Sequence, residues 1–80
     1  MEEMKQEKFK VYIKIDEDNN IVEINSSKFL SDITDWIEID EGYGDKFCYA
    51  QGNYLSKPIS EFGKGWNYKY INNKIVEQIN

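Results

Sequence analysis

The chain has 80 residues, which is enough for one small domain, since autonomous domains typically contain about 50–200 residues. Its 10 Lys against 15 Asp and Glu give a net charge of −5, which argues against binding to nucleic acid or to anionic lipid through a basic face. Histidine and arginine are absent, which removes the commonest general base and metal ligand and the bidentate phosphate clamp. The single cysteine excludes an intramolecular disulfide, and no apolar run reaches the roughly 20 residues of a membrane span.

The chain begins with charged residues and then alternates like a β-strand. Residues 1–8 are predicted to be a flexible charged leader, and residues 9–80 a single small β domain. The alternation predicts a first strand whose apolar face consists of Phe9, Val11, Ile13 and Ile15. Residues 16–20 are Asp and Asn with one Glu, which favours a turn because Asn and Asp tolerate positive φ. Residues 21–25 return as a second strand and complete a β-hairpin.

The middle of the chain predicts one more strand and then a long connection. Residues 28–33 favour a helical turn or an irregular loop, and residues 35–40 alternate as a third strand with Ile37 and Ile39 on one face. Residues 41–65 are rich in Gly and Tyr, and Pro58 argues against a central strand there. We therefore expect a long, structured connection with at most one short strand or helical turn.

The last part of the chain predicts a second hairpin. Two strand-like runs, residues 66–71 and residues 74–79, flank Asn72 and Asn73. Two turn-forming asparagines between such runs indicate a type I′ turn. The fold class predicted from these elements is mainly β, with two hairpins and a central strand in one small sheet or open barrel around the apolar residues Val11, Ile13, Ile37 and Ile39.

Two arrangements of carboxylates invite a chemical interpretation. Asp16, Asp18 and Asn20 alternate like the opening of an EF-hand calcium loop, but Ile21 takes the place of the loop glycine and Ser27 that of the bidentate Glu. A solvated hairpin turn explains the pattern better. A second run is formed by Asp35, Glu38, Asp40, Glu41 and Asp45. On a strand, Glu38 and Asp40 of this run would point the same way and could act as an acid/base pair.

Catalysis is nevertheless not what this composition favours. A domain of 80 residues rarely encloses the cleft that raises the pKa of one carboxyl group, and Cys48 has no neighbouring Arg or His that would activate a thiolate. Cys48 is better explained as a small buried hydrophobic residue. We expect no enzymatic activity, no catalytic residues, no metal site and no cofactor.

Aromatic side chains are concentrated in the second half of the chain. Two interpretations stay open: all of them build the core, or some form an exposed surface for a partner, because Tyr and Trp dominate binding hot spots. On the second interpretation, the loop after the third strand and the adjacent tryptophan form the partner-binding surface. The candidate residues are Trp36, Tyr43, Asp45, Tyr49, Tyr54 and Trp66.

A longer pattern links several of these segments. It consists of Trp36-Ile-Glu-Ile-Asp-Glu-Gly-Tyr-Gly-Asp45, then Ala50-Gln-Gly-Asn-Tyr54, then Lys57-Pro58, with Trp66-Asn-Tyr-Lys-Tyr70 and Ile75-Val-Glu77 in the last hairpin. In this pattern the chain resembles a family of small proteins encoded in the tail-module region of prophages in clostridia and related Firmicutes. The resemblance runs from about Phe9 to Glu77 and implies a phage context, without implying catalytic residues.

The leading functional expectation is a non-enzymatic structural or accessory protein of a phage tail or baseplate that acts through protein–protein contacts. One alternative is an acidic phage-encoded inhibitor of a host defence or regulatory protein, and another is a small carbohydrate-binding module. The expected partner is a tail, baseplate or tail-fibre component or a host protein, without nucleic acid or membrane. The expected location is the cytoplasm of the producing bacterium or the virion.

Overall fold

A computed structural model describes residues 8–63 and 65–78. These residues form seven strands and two short helices, and the mainly β prediction is confirmed. In chain order the elements are β1 Phe9–Ile15, β2 Ile21–Ser26, β3 Ile37–Gly42, α1 Asp45–Cys48, α2 Ala50–Asn53, β4 Ser60–Glu61, β5 Gly65–Trp66, β6 Tyr68–Ile71 and β7 Lys74–Glu77. Residues 1–7 of the predicted leader and the last residue of the predicted final strand, Ile79, lie outside the described residues.

The first three strands form an open antiparallel sheet in the order β2-β1-β3, so β1 is the central strand. The register places Ile13 between Ile24 of β2 and Ile37 of β3. Opposite Val11 and Tyr12, β3 contains Ile39 as an extra residue, which makes a β-bulge. The predicted third strand is present, but it begins at Ile37 and continues to Gly42. The described strands form no closed barrel. Both predicted hairpins are present, but they do not share one sheet as predicted, because β6 and β7 pair as a separate two-stranded sheet and β4 and β5 form another.

The predicted turn between β1 and β2 is present and is held by its own side chains. The Asp16 carboxylate accepts hydrogen bonds from the backbone N–H groups of Asp18 and Asn20, both at 2.9 Å, and from Asn20 Nδ2 at 3.0 Å. Asn19 has a φ of 67°, which Asn tolerates better than most residues. This is the local hydrogen bonding for which Asp and Asn are selected in turns.

The last hairpin has the predicted turn and joins the first hairpin. Asn72 and Asn73 have φ values of 54° and 63°, as a type I′ turn requires at both central positions. The backbone N–H of Tyr70 donates to the carbonyl of Asn19 at 2.9 Å, and Gln78 Nε2 donates to Asn20 Oδ1 at 2.9 Å. The turn of the first hairpin is therefore a docking point for the second.

The core lies against the three-stranded sheet. Val11 and Ile13 are fully buried as predicted, whereas Ile37 and Ile39 are half-buried and pack around them. The remaining members of the buried cluster come from β2, α2 and β6, namely Ile21, Ile24, Ala50 and Tyr68. Fully burying an aliphatic side chain of this size contributes about 1.5–3 kcal/mol. Because the buried residues come from β1, β2, α2 and β6, the core depends on elements from the whole described chain.

The connection after β3 contains more regular structure than predicted. It holds two helical turns, α1 and α2, and the first strand of the β4–β5 ladder, instead of at most one such element. Gly44, with a φ of 92°, lets the chain turn from β3 into α1. Buried Ser26 Oγ donates to the carbonyl of Cys48 at 2.6 Å, and buried Ala50 packs in the core. Tertiary contacts of Cys48 and Ala50 thus stabilise helices that local propensity does not favour.

Candidate functional site

An exposed aromatic patch forms where the β2–β3 connection meets the end of α1. The rings of Phe29 and Tyr49 lie 5.7 Å apart, and 47% and 41% of these residues are exposed. Lys28 Nζ lies 4.8 Å from the centre of the Tyr49 ring and 3.2 Å from its hydroxyl oxygen. We call Lys28, Phe29 and Tyr49 the Tyr49 patch. Contact with the hydroxyl of Tyr49 also raises the pKa of Lys28, so its ammonium stays charged.

Tyr54 belongs to a different cluster and has a structural role. Its hydroxyl donates to Asp40 Oδ2 at 2.8 Å, and its ring meets Phe47 edge to face at 6.0 Å. Lys46 Nζ lies 5.1 Å from the centre of the Tyr54 ring. Burial, assisted by the hydrogen bond to Asp40, raises the pKa of Tyr54 to about 12. Because Tyr54 packs against the core, it is less available to a partner than Tyr49.

Trp36 lines an open groove next to α2. The groove has a volume of about 630 Å³ and lies between β2, α2 and residues 55–59. Trp36 is half-buried, and Lys14 Nζ lies 4.7 Å from the centre of its ring. A volume of this size falls within the range of small-ligand sites.

The structure does not bring all six predicted partner-binding residues into one site. Tyr43 is 52% exposed, and Asp45 is the exposed first residue of α1. Trp66 is exposed in β5, where its carbonyl accepts a hydrogen bond from Gln78. Tyr49 lies in the Tyr49 patch, Tyr54 contacts Phe47 and Asp40, and Trp36 lines the groove, so these three aromatic residues belong to three different sites. Phe29, which the sequence reasoning missed, is the ring that contacts Tyr49; its isolated position in a turn gave no periodic signal.

The acidic residues of β3 already have partners on the protein. Glu38 is 3.4 Å from Lys10 Nζ, and Glu41 is 3.3 Å from Lys8 Nζ. The hydrogen bond and the charge of Glu38 raise the pKa of Lys10. Together with the bond from Tyr54 to Asp40, these contacts reduce the free negative potential of this face.

The carboxylate of Asp16 forms its hydrogen bonds within its own turn. Both oxygens accept hydrogen bonds, and the bond from the Asn20 side chain is the main cause of the lowered pKa of Asp16. Within residues 8–63 and 65–78, no group of three or more His, Cys, Asp or Glu residues is arranged to hold a metal ion. The described helices have four residues each, and neither is long and apolar enough to cross a membrane.

The arrangement offers surfaces for binding. Comparison of the chain with protein-family models, with curated proteins and with solved structures finds no match. The features that bear on function are therefore the Tyr49 patch, the groove at Trp36 and the sequence motifs described above.

Proposed function

We propose that this chain is a non-enzymatic structural or accessory protein of a phage tail or baseplate, acting through protein–protein contacts. The resemblance of its Trp36–Asp45 and Ala50–Tyr54 motifs to small prophage tail-module proteins supplies the phage context. The surface that would carry the contact is the Tyr49 patch.

The observation that carries the proposal is the pairing of two exposed aromatic rings with a lysine. Exposed apolar side chains are normal when they are scattered singly, whereas adjacent exposed rings give a partner a continuous apolar surface to cover. Phe29 and Tyr49 form such a group, and Lys28 adds a positive charge within reach of both rings. Aromatic residues lose little conformational entropy on binding, so they are efficient contacts in a protein interface.

The acidic-inhibitor alternative receives less support from the contacts. An acidic face binds a basic partner most strongly when its carboxylates are unpaired, but Glu38 and Glu41 each face a lysine and Asp40 accepts the Tyr54 hydroxyl. The aromatic surface is therefore the better candidate for the contact.

The proposal is tested by asking whether the protein remains with assembled particles. Tagged protein is produced during induction of a prophage that encodes it, and particles are separated from the soluble lysate by density centrifugation. We expect the wild-type chain in the particle fraction. Tyr49→Ala and Phe29→Ala should each weaken association by about 1–3 kcal/mol if they are hot spots, which is roughly 5-fold to 150-fold in affinity.

Phe62 provides the matched control, because it is a fully exposed aromatic residue at the β4–β5 turn. Phe62→Ala should leave particle association unchanged, and thermal unfolding of all three variants checks that they fold. A protein that stays soluble in the lysate would contradict the tail proposal. If charge reversal at Glu38, Asp40 and Asp45 abolished binding to a host protein instead, the acidic-inhibitor function would replace it.

A further inference from the structure

The groove at Trp36 shares no residue with the Tyr49 patch, so its occupant is a question beyond the proposed function. One wall is the edge of the sheet at Glu23 and Asn25, and the opposite wall is Gln51 and Gly52 of α2 followed by Leu55. The groove therefore joins one large aromatic ring, several aliphatic residues and several polar groups. Ligand sites commonly combine apolar walls with a few polar groups that fix orientation.

The Trp36 ring is held in place from one side. The Lys14 ammonium lies 4.7 Å from the ring centre, within the distance at which a cation is attracted to an aromatic face. Trp36 also lines the groove and is half-buried, and a ring already ordered by this contact loses less entropy when a ligand binds. A flat apolar face of this kind matches the C–H face of a pyranose ring.

The polar groups of the groove can bind hydroxyl groups. Asn25 Oδ1 accepts the backbone N–H of Ser26, while its Nδ2 has no partner among the described residues. Within residues 8–63 and 65–78, the side chains of Gln51 and Glu23 likewise have no hydrogen-bond or ion-pair partner. An amide both donates and accepts, and a carboxylate accepts, which suits a hydroxyl that does both.

The charges of the groove favour a neutral ligand. Glu23 in the lining stands opposite Lys14 of β1, whose ammonium lies on the Trp36 ring, so these two charges offset each other, and the net charge of −5 of the whole protein disfavours an anionic ligand. The positive side chain in the lining, Lys57, bonds to Glu77, which raises its pKa and offsets its charge. From the Trp36 ring, the free amides and this charge balance, we propose that the groove binds a neutral oligosaccharide chain, with Trp36 as the stacking residue and Asn25, Gln51 and Glu23 as hydrogen-bonding residues.

The test measures binding of three neutral tetrasaccharides, cellotetraose, chitotetraose and maltotetraose, by titration calorimetry and by quenching of tryptophan fluorescence. At least one should bind, and Trp36→Ala should weaken that binding by about tenfold or more, as loss of a central aromatic contact does. Trp66→Ala is the matched control, because Trp66 lies outside the groove lining and should change the affinity little.

Gly52→Leu keeps the proposal testable even if the Trp36 variant does not fold. A Cβ at Gly52 meets nothing within 4 Å, so a side chain can start there without a clash, and a leucine at this lining position should narrow the groove. This variant should reduce tetrasaccharide binding by about tenfold or more while leaving particle association through the Tyr49 patch unchanged. The proposal is overturned if none of the three tetrasaccharides binds, or if one binds equally well to the Gly52→Leu and wild-type proteins.

Discussion

Gly42 at the end of β3 has no room for a side chain, and the crowding predicts how much Gly42→Ala lowers the free energy of unfolding. A Cβ built on Gly42 would lie 2.6 Å from Phe47 Cε2 and 2.7 Å from its Cζ, whereas ordinary contacts begin near 3.4 Å. In Gly42→Ala the ring must therefore move by about 0.8 Å. The ring cannot move freely because it packs against Tyr54, which bonds to Asp40. Overpacking of this kind costs about 1–3 kcal/mol, and we expect the free energy of unfolding to fall by that amount.

The same substitution at Gly52 is the matched control. Neither glycine has positive φ, and a Cβ at Gly52 in α2 meets no atom within 4 Å. Gly52→Ala should therefore raise the free energy of unfolding by about 0.5–1 kcal/mol, because alanine loses less backbone entropy in a helix. Urea unfolding followed by tryptophan fluorescence measures both variants. The steric argument fails if Gly42→Ala is neutral, or if its cost persists unchanged when Phe47 is replaced by Leu.

Further predictions concern a turn, a buried hydroxyl and a phenol. Asn73→Val should destabilise by about 1–2 kcal/mol because its φ is 63°, whereas Asn73→Gly should be neutral; equal urea midpoints would contradict this. Ser26→Ala should cost about 1–3 kcal/mol in the same assay, since it removes the donor to the Cys48 carbonyl. The raised pKa of Tyr54 favours the protonated phenol, so its stabilisation is complete below pH 10 and is lost as pH rises through about 12. Tyr54→Phe should remove a phenolate step near pH 12 from an absorbance titration; an unchanged profile would refute the assignment.

The hairpins could be predicted because their signals are local. Alternation of apolar and polar residues marks β1, and a pair of asparagines at positions that need positive φ marks the turn before β7. Both features act over a few residues, so the sequence contains everything needed to recognise them.

The helical turns and the groove could not be predicted because they depend on distant contacts. Tyr49, Gly52 and Asn53 are poor helix formers, and α2 forms because Ala50 is buried against the sheet. Likewise Trp36 and Leu55 share a groove although they are 19 positions apart in the sequence. The prediction takes the six contact residues together because most of them lie in or next to one loop of the sequence, whereas the fold distributes them over separate surfaces.

The docking of the last hairpin onto the first turn has a consequence during synthesis. Asn20 and Gln78, which bond to each other, are 58 positions apart in the sequence. At a ribosomal rate of about 5–20 residues per second, Gln78 is added roughly 3–12 s after Asn20. Until Tyr68 and the strands around it follow, the apolar side of the first hairpin is only partly covered, by residues of β3 and α2, although hairpins themselves form in about 1–10 μs. The nascent chain is therefore exposed to aggregation and to chaperone binding during that interval.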